Sequence, residues 1–235
     1  MSVLLLQLAG PLQSWGAASR YPRRSTESAP TKSGVVGLLA AAQGRPRTAD
    51  ISDLAALRLG VRIDQPGTRL RDFHTAHHQV SDKPMPVTER IYLADAVFLA
   101  GVEGERSLIE ALHTAVRAPH FLPFLGRRAC PPARPLDAGV RHDTALETAL
   151  REHPWLASPW YRQRANRTAP RQLPLLLDSA PGDPPGDLIA DLPLSFDPRH
   201  RRYAHRSVRR DTVPRPTAQT QVPAHEPMQP LKDDH

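Results

Sequence analysis

The order in which hydrophobic patterns follow one another restricts this chain more than any other feature. Val3–Ala9 is an apolar run of strand length closed by Gly10-Pro11, which predicts a buried strand. A polar, basic loop follows from Gln13 to Pro30. Thr31 or Ser33 can then cap a helix through Val35–Ala42 that stops near Gly44. Leu57, Leu59, Val61 and Ile63 alternate with Arg58, Gly60 and Arg62, the period of a half-buried strand with arginines on its other face. A second strand pattern runs from Ile91 to Ala100. Behind it, Leu108, Ile109, Ala111, Leu112, Ala115 and Val116 have the spacing of an amphipathic helix. The order β-α-β-β-α opens a ferredoxin-like (RRM-like) βαββαβ unit, so the expected fold class is α+β.

Strands 2 and 3 of such a unit are normally joined by a short hairpin. Here 27 residues, Asp64–Arg90, span the two patterns. Connections of that length in a compact domain are usually functional or disordered. The segment contains Arg69, Arg71, His74, His77, His78, Lys83 and Arg90, with few apolar residues after Phe73. It reads as a projecting arm, the alternative being a surface insertion without a role. Beyond residue 118, Phe121–Leu125 runs into Gly126-Arg127-Arg128-Ala129-Cys130-Pro131-Pro132, whose prolines predict a rigid loop. Thr144 and Glu147 form a capping-box pattern before a short helix through Leu150. Gln172–Asp178 and Tyr203–Val213 are further strand candidates. The expected organisation is a ferredoxin-like domain over 1–118 with a long thumb at about 64–90, then a smaller C-terminal β-rich region over 119–212. A Pro-rich tail follows over 213–235, disordered or bound to a partner.

Composition narrows the class. No stretch approaches the roughly 20 consecutive apolar residues of a membrane span, and Val3–Leu8 is too short and wrongly flanked for a signal peptide. The single cysteine, Cys130, makes neither an internal disulfide nor a multi-cysteine zinc site. A soluble, cytoplasmic protein with no membrane contact is expected. Net charge is +7, from 31 basic and 24 acidic residues. The excess lies at the ends, mainly Arg20–Lys32 and Arg201–Arg215, around an electrically balanced middle. If both ends fold onto one face, they make a surface suited to phosphate. Only Lys32, Lys83 and Lys232 are lysine, and arginine's planar fork suits phosphates and base edges. The 12 aromatic residues are too few and scattered for a long stacking platform.

Several groupings could carry chemistry. Asp72-Phe73-His74-x-x-His77-His78 is a metal candidate by ligand type, but it has no partner cysteines and sits on an arm. Contact with RNA or protein is the better reading, so neither a metal nor a cofactor is expected. Cys130 beside Arg127 and Arg128 is either a lowered-pKa nucleophile or, the better reading, a buried inert thiol. Thr31-Lys32-Ser33-Gly34 lacks the order of a phosphate loop, although a helix start beside Lys32 is a plausible anion site. Arg20, Arg23 and Arg24 precede it, and Trp15 or Tyr21 could offer a stacking face. The alternative is a capped helix with a solvated basic loop.

Five blocks, in order, then resemble the CasD-type subunits of type I-E CRISPR Cascade complexes, within the RAMP superfamily. They are Gly10-Pro11-Leu12-Gln13-Ser14-Trp15-Gly16; Arg24-x-Thr26-x-x-x-Pro30-Thr31-Lys32-Ser33-Gly34 continuing to Leu39; Arg71-Asp72-Phe73-His74-Thr75; Tyr92-Leu93-Ala94-Asp95-Ala96; and Phe121–Pro131. The resemblance implies a ferredoxin-like domain with a thumb. It also implies an RNA-binding subunit that caps the 5′ handle of CRISPR RNA and joins the backbone subunit (CasC) and large subunit (CasA), with target DNA nearby in the assembled complex. Target sequence would be read by guide pairing. Charge and resemblance together assign Gln13, Trp15, Arg20, Arg23, Arg24, Lys32 and Ser33 to the handle site, with Arg127 and Arg128 on a second loop. Arg71, His74 and Arg90 would position the thumb. The resemblance implies a non-catalytic protein. Type I-C relatives instead cleave repeat RNA without metal through a Tyr/Lys/His group, for which Tyr21, Lys32, Lys83 and His74 are the candidates.

Overall fold

The computed structural model describes residues 1–16, 23–168, 171–180, 182–184 and 186–216. Its elements, in chain order, begin with β1 (Ser2–Ala9), β2 (Leu12–Gln13), β3 (Arg23–Arg24), α1 (Lys32–Ala42), α2 (Ser52–Ala55) and β4 (Arg58–Gln65). Next come β5 (Thr68–His74), β6 (Thr88–Ala94), β7 (Val97–Gly104) and α3 (Arg106–Arg117). The remainder is β8 (Asp137–His142), α4 (Leu146–Glu152), α5 (Pro159–Thr168), β9 (Gln172–Asp178), β10 (Asp187–Ser195) and β11 (Arg202–Pro214). The Pro-rich tail expected over 213–235 lies outside the described residues from 217 onward. No helix among the described residues is long and apolar enough to cross a membrane.

A seven-stranded antiparallel sheet runs in the order β10-β11-β9-β4-β7-β1-β8. Its β4-β7-β1-β8 portion, with α1 and α3 as the two crossovers, is the ferredoxin-like unit expected from the strand and helix order. The β-rich stretch after residue 118 supplies β8 to that unit and β9–β11 to the same sheet beyond β4. Burial on both faces explains the continuous apolar sequence of β1. Leu4, Leu6 and Leu8 pack with α1, α2 and α3, whereas Val3 and Leu5 pack on the other side with α4, Trp155 and Ala165. α1 begins as expected: Thr31 is its N-cap and accepts from the Gly34 N–H at 3.3 Å.

Three local expectations are corrected. The Ile91–Ala100 pattern is two strands, not one. Asp95 adopts a φ of 55° and breaks the chain between β6 and β7, which then enter different sheets. Thr144 does not form a capping box: its hydroxyl donates to the His142 carbonyl at 2.9 Å. The first amide of α4, Leu146 N–H, instead reaches the distant Glu103 carboxylate at 3.1 Å. Arg62 is not on an open face. It is fully buried, because α4 and the segment after it cover that side of β4.

Segment 64–90 is built as a two-stranded ribbon. β5 is exposed throughout and pairs residue for residue with β6, from Thr68 opposite Ala94 to His74 opposite Thr88. The tip is closed by Met85 N–H to Ala76 O at 2.8 Å and by His78 N–H to Lys83 O at 2.9 Å. The other edge of β6 takes β2 and β3, the latter in parallel, with Arg24 opposite Arg90.

Arg62 holds the second face of the sheet. Its Nε and Nη2 donate to the two Asp64 carboxylate oxygens at 2.6 and 2.9 Å. Its Nη1 donates to Leu150 O and His153 O at 2.6 and 2.7 Å, and Nη2 also donates to Pro154 O at 2.8 Å. Asp64 in turn accepts from Leu156 N–H at 2.7 Å, and its carbonyl accepts from Trp155 Nε1 at 2.9 Å. Removing one member of a buried pair leaves the other charge uncompensated. Arg62→Met is therefore expected to cost about 3–5 kcal/mol in denaturant unfolding. Arg62→Met with Asp64→Leu should recover part of that loss.

His153, beside this pair, has its pKa lowered from 6.5, chiefly by burial. The unfolded chain then binds the proton more readily than the folded one, so this group's contribution is lost as pH falls below about 6.5. A His153→Gln variant should show a flatter decline of thermal stability between pH 7 and pH 5.

Candidate nucleic-acid interface

Some of the described basic residues are turned inward, and several of the others line one groove of about 1080 Å³. Its floor is the small-residue face of α1, including Gly34, Gly37, Ala40 and Ala41. One wall is the 121–131 loop, and the opposite wall carries Phe196, Arg201 and Tyr203 from either side of the β10–β11 turn. Arg24, Arg45, Arg47, Arg127, Arg128 and Arg201 line it, and no carboxylate among the described residues does. Arg45 is at the same time paired with Asp53 behind the lining. Phe121 and Tyr203 present rings that are 50% and 45% exposed. Such a surface suits a polyanion with planar bases, because guanidinium groups pair with phosphate and stack on rings.

The 121–131 wall is held by backbone geometry. Gly126 has a φ of 85°, and a Cβ there would sit 1.8 Å from the Ser14 carbonyl oxygen. Only glycine fits that close approach. Ser14 N–H donates to Leu125 O at 3.1 Å, and Leu125 N–H to Cys130 O at 2.7 Å. Arg127 is thereby laid over the Tyr92 ring at 4.7 Å, with its Nη2 donating to Arg24 O at 2.9 Å. Its Nη1 is buried without a hydrogen-bond partner among the described residues. Burial pushes the Cys130 thiol pKa up, against the pull of Arg127, so Cys130 is a packed residue and not an activated nucleophile.

The residues expected at the handle site divide. Arg24, Ser33, Arg127 and Arg128 line the groove together. Arg23 contributes its backbone to β3, and Arg20 lies outside the described residues, as does Tyr21. Gln13 and Lys32 serve the fold instead. Gln13 is fully buried and donates to Leu8 O and Ala96 O at 3.0 and 2.7 Å. Trp15 borders the groove but is fully buried against Gly34, with its Nε1 donating to Gln13 Oε1 at 3.0 Å, so it offers no free stacking face. The Lys32 ammonium meets Asp178 at 2.8 Å, and its backbone N–H meets Asp191 at 2.7 Å. The anion at the start of α1 is thus an internal carboxylate. Arg206 closes the network onto both Asp178 and Asp191. Burial opposes the Arg206 charge, but Asp191 and Asp178 outweigh it and hold its pKa above the usual value.

Arg71, His74 and Arg90 lie on the ribbon and none lines the groove, although Arg90 pairs across strands with Arg24, which does. Arg71 pairs with Glu89 at 2.9 Å and lies over the Phe73 ring at 4.8 Å. His74 is exposed, and Arg90 is half-buried with its Nε unpartnered among the described residues. His77 Nδ1 lies 3.0 Å from Asp82 O, and His78 Nδ1 accepts from Ser81 N–H at 3.2 Å, so both rings serve the turn at the tip. Among the described residues no group of three or more potential ligands could hold a metal ion. Sequence reasoning does not single out Arg45, Arg47, Phe196 or Tyr203, and it reaches Arg201 only as one end of a basic stretch. The signal that points towards this wall is the charge excess at both chain ends.

The family model described as "CRISPR-associated protein (Cas_Cas5)" matches residues 3–209. The chain is 35% identical over 170 residues to the Escherichia coli (strain K12) protein "CRISPR system Cascade subunit CasD", covering 63% of this chain and 75% of that one. A solved structure, "Crystal structure of Cas protein", aligns at 41% identity and a TM-score of 0.71, over 91% of this chain and 95% of the other. A chain of a "CRISPR RNA-guided surveillance complex" aligns at 33% identity and a TM-score of 0.72, over 92% and 91%.

The division between fold-holding and open basic residues is measurable. Lys32→Met should lower unfolding stability by about 3 kcal/mol, because it leaves Arg206 alone to balance two buried carboxylates, Asp178 and Asp191. Arg128→Ala, an exposed change, should shift stability by no more than about 0.5 kcal/mol.

Proposed function

This chain belongs to the Cas5 family of CRISPR-associated proteins, and from that premise we propose that it is the non-catalytic RNA-binding subunit of a Cascade surveillance complex. In this reading the groove holds the 5′ handle of CRISPR RNA. The observation that carries it is the lining of six arginines with no carboxylate among the described residues, beside exposed rings. An RNA end laid there meets guanidinium groups along its backbone.

The ribbon fits the role of a thumb that reaches towards the backbone subunit (CasC) and large subunit (CasA), near target DNA. Phe73, Val80, Met85 and Val87 are exposed on it, giving the arm an apolar surface towards its tip. Arg71, His74 and Arg90 would orient it. Metal-independent cleavage needs a base at the 2′-hydroxyl and a cation or acid at the leaving oxygen, brought together. Lys32 is committed to Asp178, while His74 and Lys83 stand exposed on the ribbon, which supports the non-catalytic reading.

The test is binding of repeat-derived handle RNA to the full chain across a salt series. The combined Arg24→Ala, Arg128→Ala and Arg201→Ala variant should weaken binding and flatten the log–log salt slope by roughly 0.7 for each phosphate it no longer neutralises. An unchanged affinity and slope would overturn the groove assignment. Repeat RNA incubated with the protein and EDTA should stay intact, and specific cleavage would overturn the non-catalytic reading.

A further inference from the structure

The opposite face of the sheet carries a second basic and aromatic surface. α5 buries Ala165 and packs Tyr161 against the Trp155 cluster. With those residues inward, the spacing of i, i+4 and i+7 places Trp160, Arg164 and Arg167 on one outward stripe. Trp160 is 51% exposed, whereas Trp15 and Trp155 are 0% and 7% exposed.

The exposed indole is held in place. Its ring meets Tyr161 edge-on at 5.7 Å, and Tyr161 meets Trp155 at 6.3 Å. Arg162 and Arg215 lie over the Trp155 ring at 5.6 and 4.8 Å, bracing the inner end of this row of rings. α5 contains no acidic residue, and Arg171 follows it, also exposed. Where α5 meets the root of the ribbon there is a cavity of about 290 Å³, lined by Trp160, Arg164, Gln65 and Thr68 among others, with Asp95 as its carboxylate.

We propose that this face is a second binding site, for single-stranded nucleic acid, distinct from the arginine groove. An unpaired base stacks on Trp160, the flanking phosphates meet Arg167 and Arg171, and Thr68 faces the base edge from the cavity. A fixed, exposed ring flanked by guanidinium groups on an acid-free helix matches a chain of phosphates and planar bases better than it matches a protein surface. Stacking of this kind tolerates any base, so the site gives affinity without reading sequence. The two sites lie on opposite sides of one sheet, α1 on one side and α5 on the other. One protein can therefore hold two strands apart.

The test uses the full chain, short oligo-dT and oligo-rU, and intrinsic tryptophan fluorescence, to which Trp160 contributes the exposed indole. Both oligomers should quench it, and whichever binds more tightly identifies DNA or RNA as the source. Trp160→Ala should abolish the quench and weaken binding at least about fivefold. Arg167→Ala with Arg171→Ala should flatten the salt dependence. The variant altered at Arg24, Arg128 and Arg201 should keep the quench, which separates this site from the groove. Loss of the quench in that groove variant, or unchanged affinity in Trp160→Ala, would overturn the proposal. So would no quench by either oligomer at low salt, which would leave the face to a protein contact.

Discussion

The structure depends on one buried guanidinium whose hydrogen bonds all find partners inside the protein. The last turn of α4 and the irregular segment after it leave carbonyls with no ladder to join. Arg62 supplies the ladder: the carbonyls of Leu150, His153 and Pro154 end on it, and Asp64 neutralises it while fixing Leu156 and Trp155. A buried charge is tolerable only when paired and fully hydrogen-bonded. Through this pair β4 reaches across the layer, and the second core forms around Trp155. Gln65, the next residue, continues the same task, accepting from Ser158 and donating to Asp95 O where the ribbon begins.

Much of this is legible in the sequence. Patterns of period 2 and 3.6 in the first 118 residues are local, and they lead directly to the order of strands and helices. What periodicity does not show is which side of a strand is covered, because that depends on segments far along the chain. Arg62 reads as a solvent-facing residue until the stretch 150–156 is folded over it. The break at Asp95 is hidden for a related reason. Apolar residues continue straight through it, and only partner strands in two different sheets distinguish its two halves.

The site is legible as a region and not residue by residue. Counting arginines at the chain ends points to a basic face, but a count cannot tell a bound charge from an open one. Arg206 is matched to carboxylates 15 and 28 residues away, and Arg209 to Glu147, 62 residues away. Arg201, a few positions earlier, lines the groove instead. Gln13, Trp15 and Lys32 read as contacts because they fall within recognisable blocks. Their chemistry is real but directed inward, towards Leu8, Ala96 and Asp178. A block of sequence can identify a protein by the residues that build its frame as readily as by those that touch a ligand.

β6 belongs to two neighbourhoods at once. One edge carries β5 and the whole projecting ribbon; the other carries β3, where Arg24 stands opposite Arg90. Tyr92 of the same strand supports the Arg127 guanidinium, and the Ile91 carbonyl accepts from the Ser14 hydroxyl at 3.2 Å. A tilt of the ribbon therefore cannot leave the groove wall behind, since both are mounted on a single rail. Any body that grips the ribbon tip acts with leverage on the position of Arg24 and Arg127. Grip at one end and fit at the other therefore bear on the same strand.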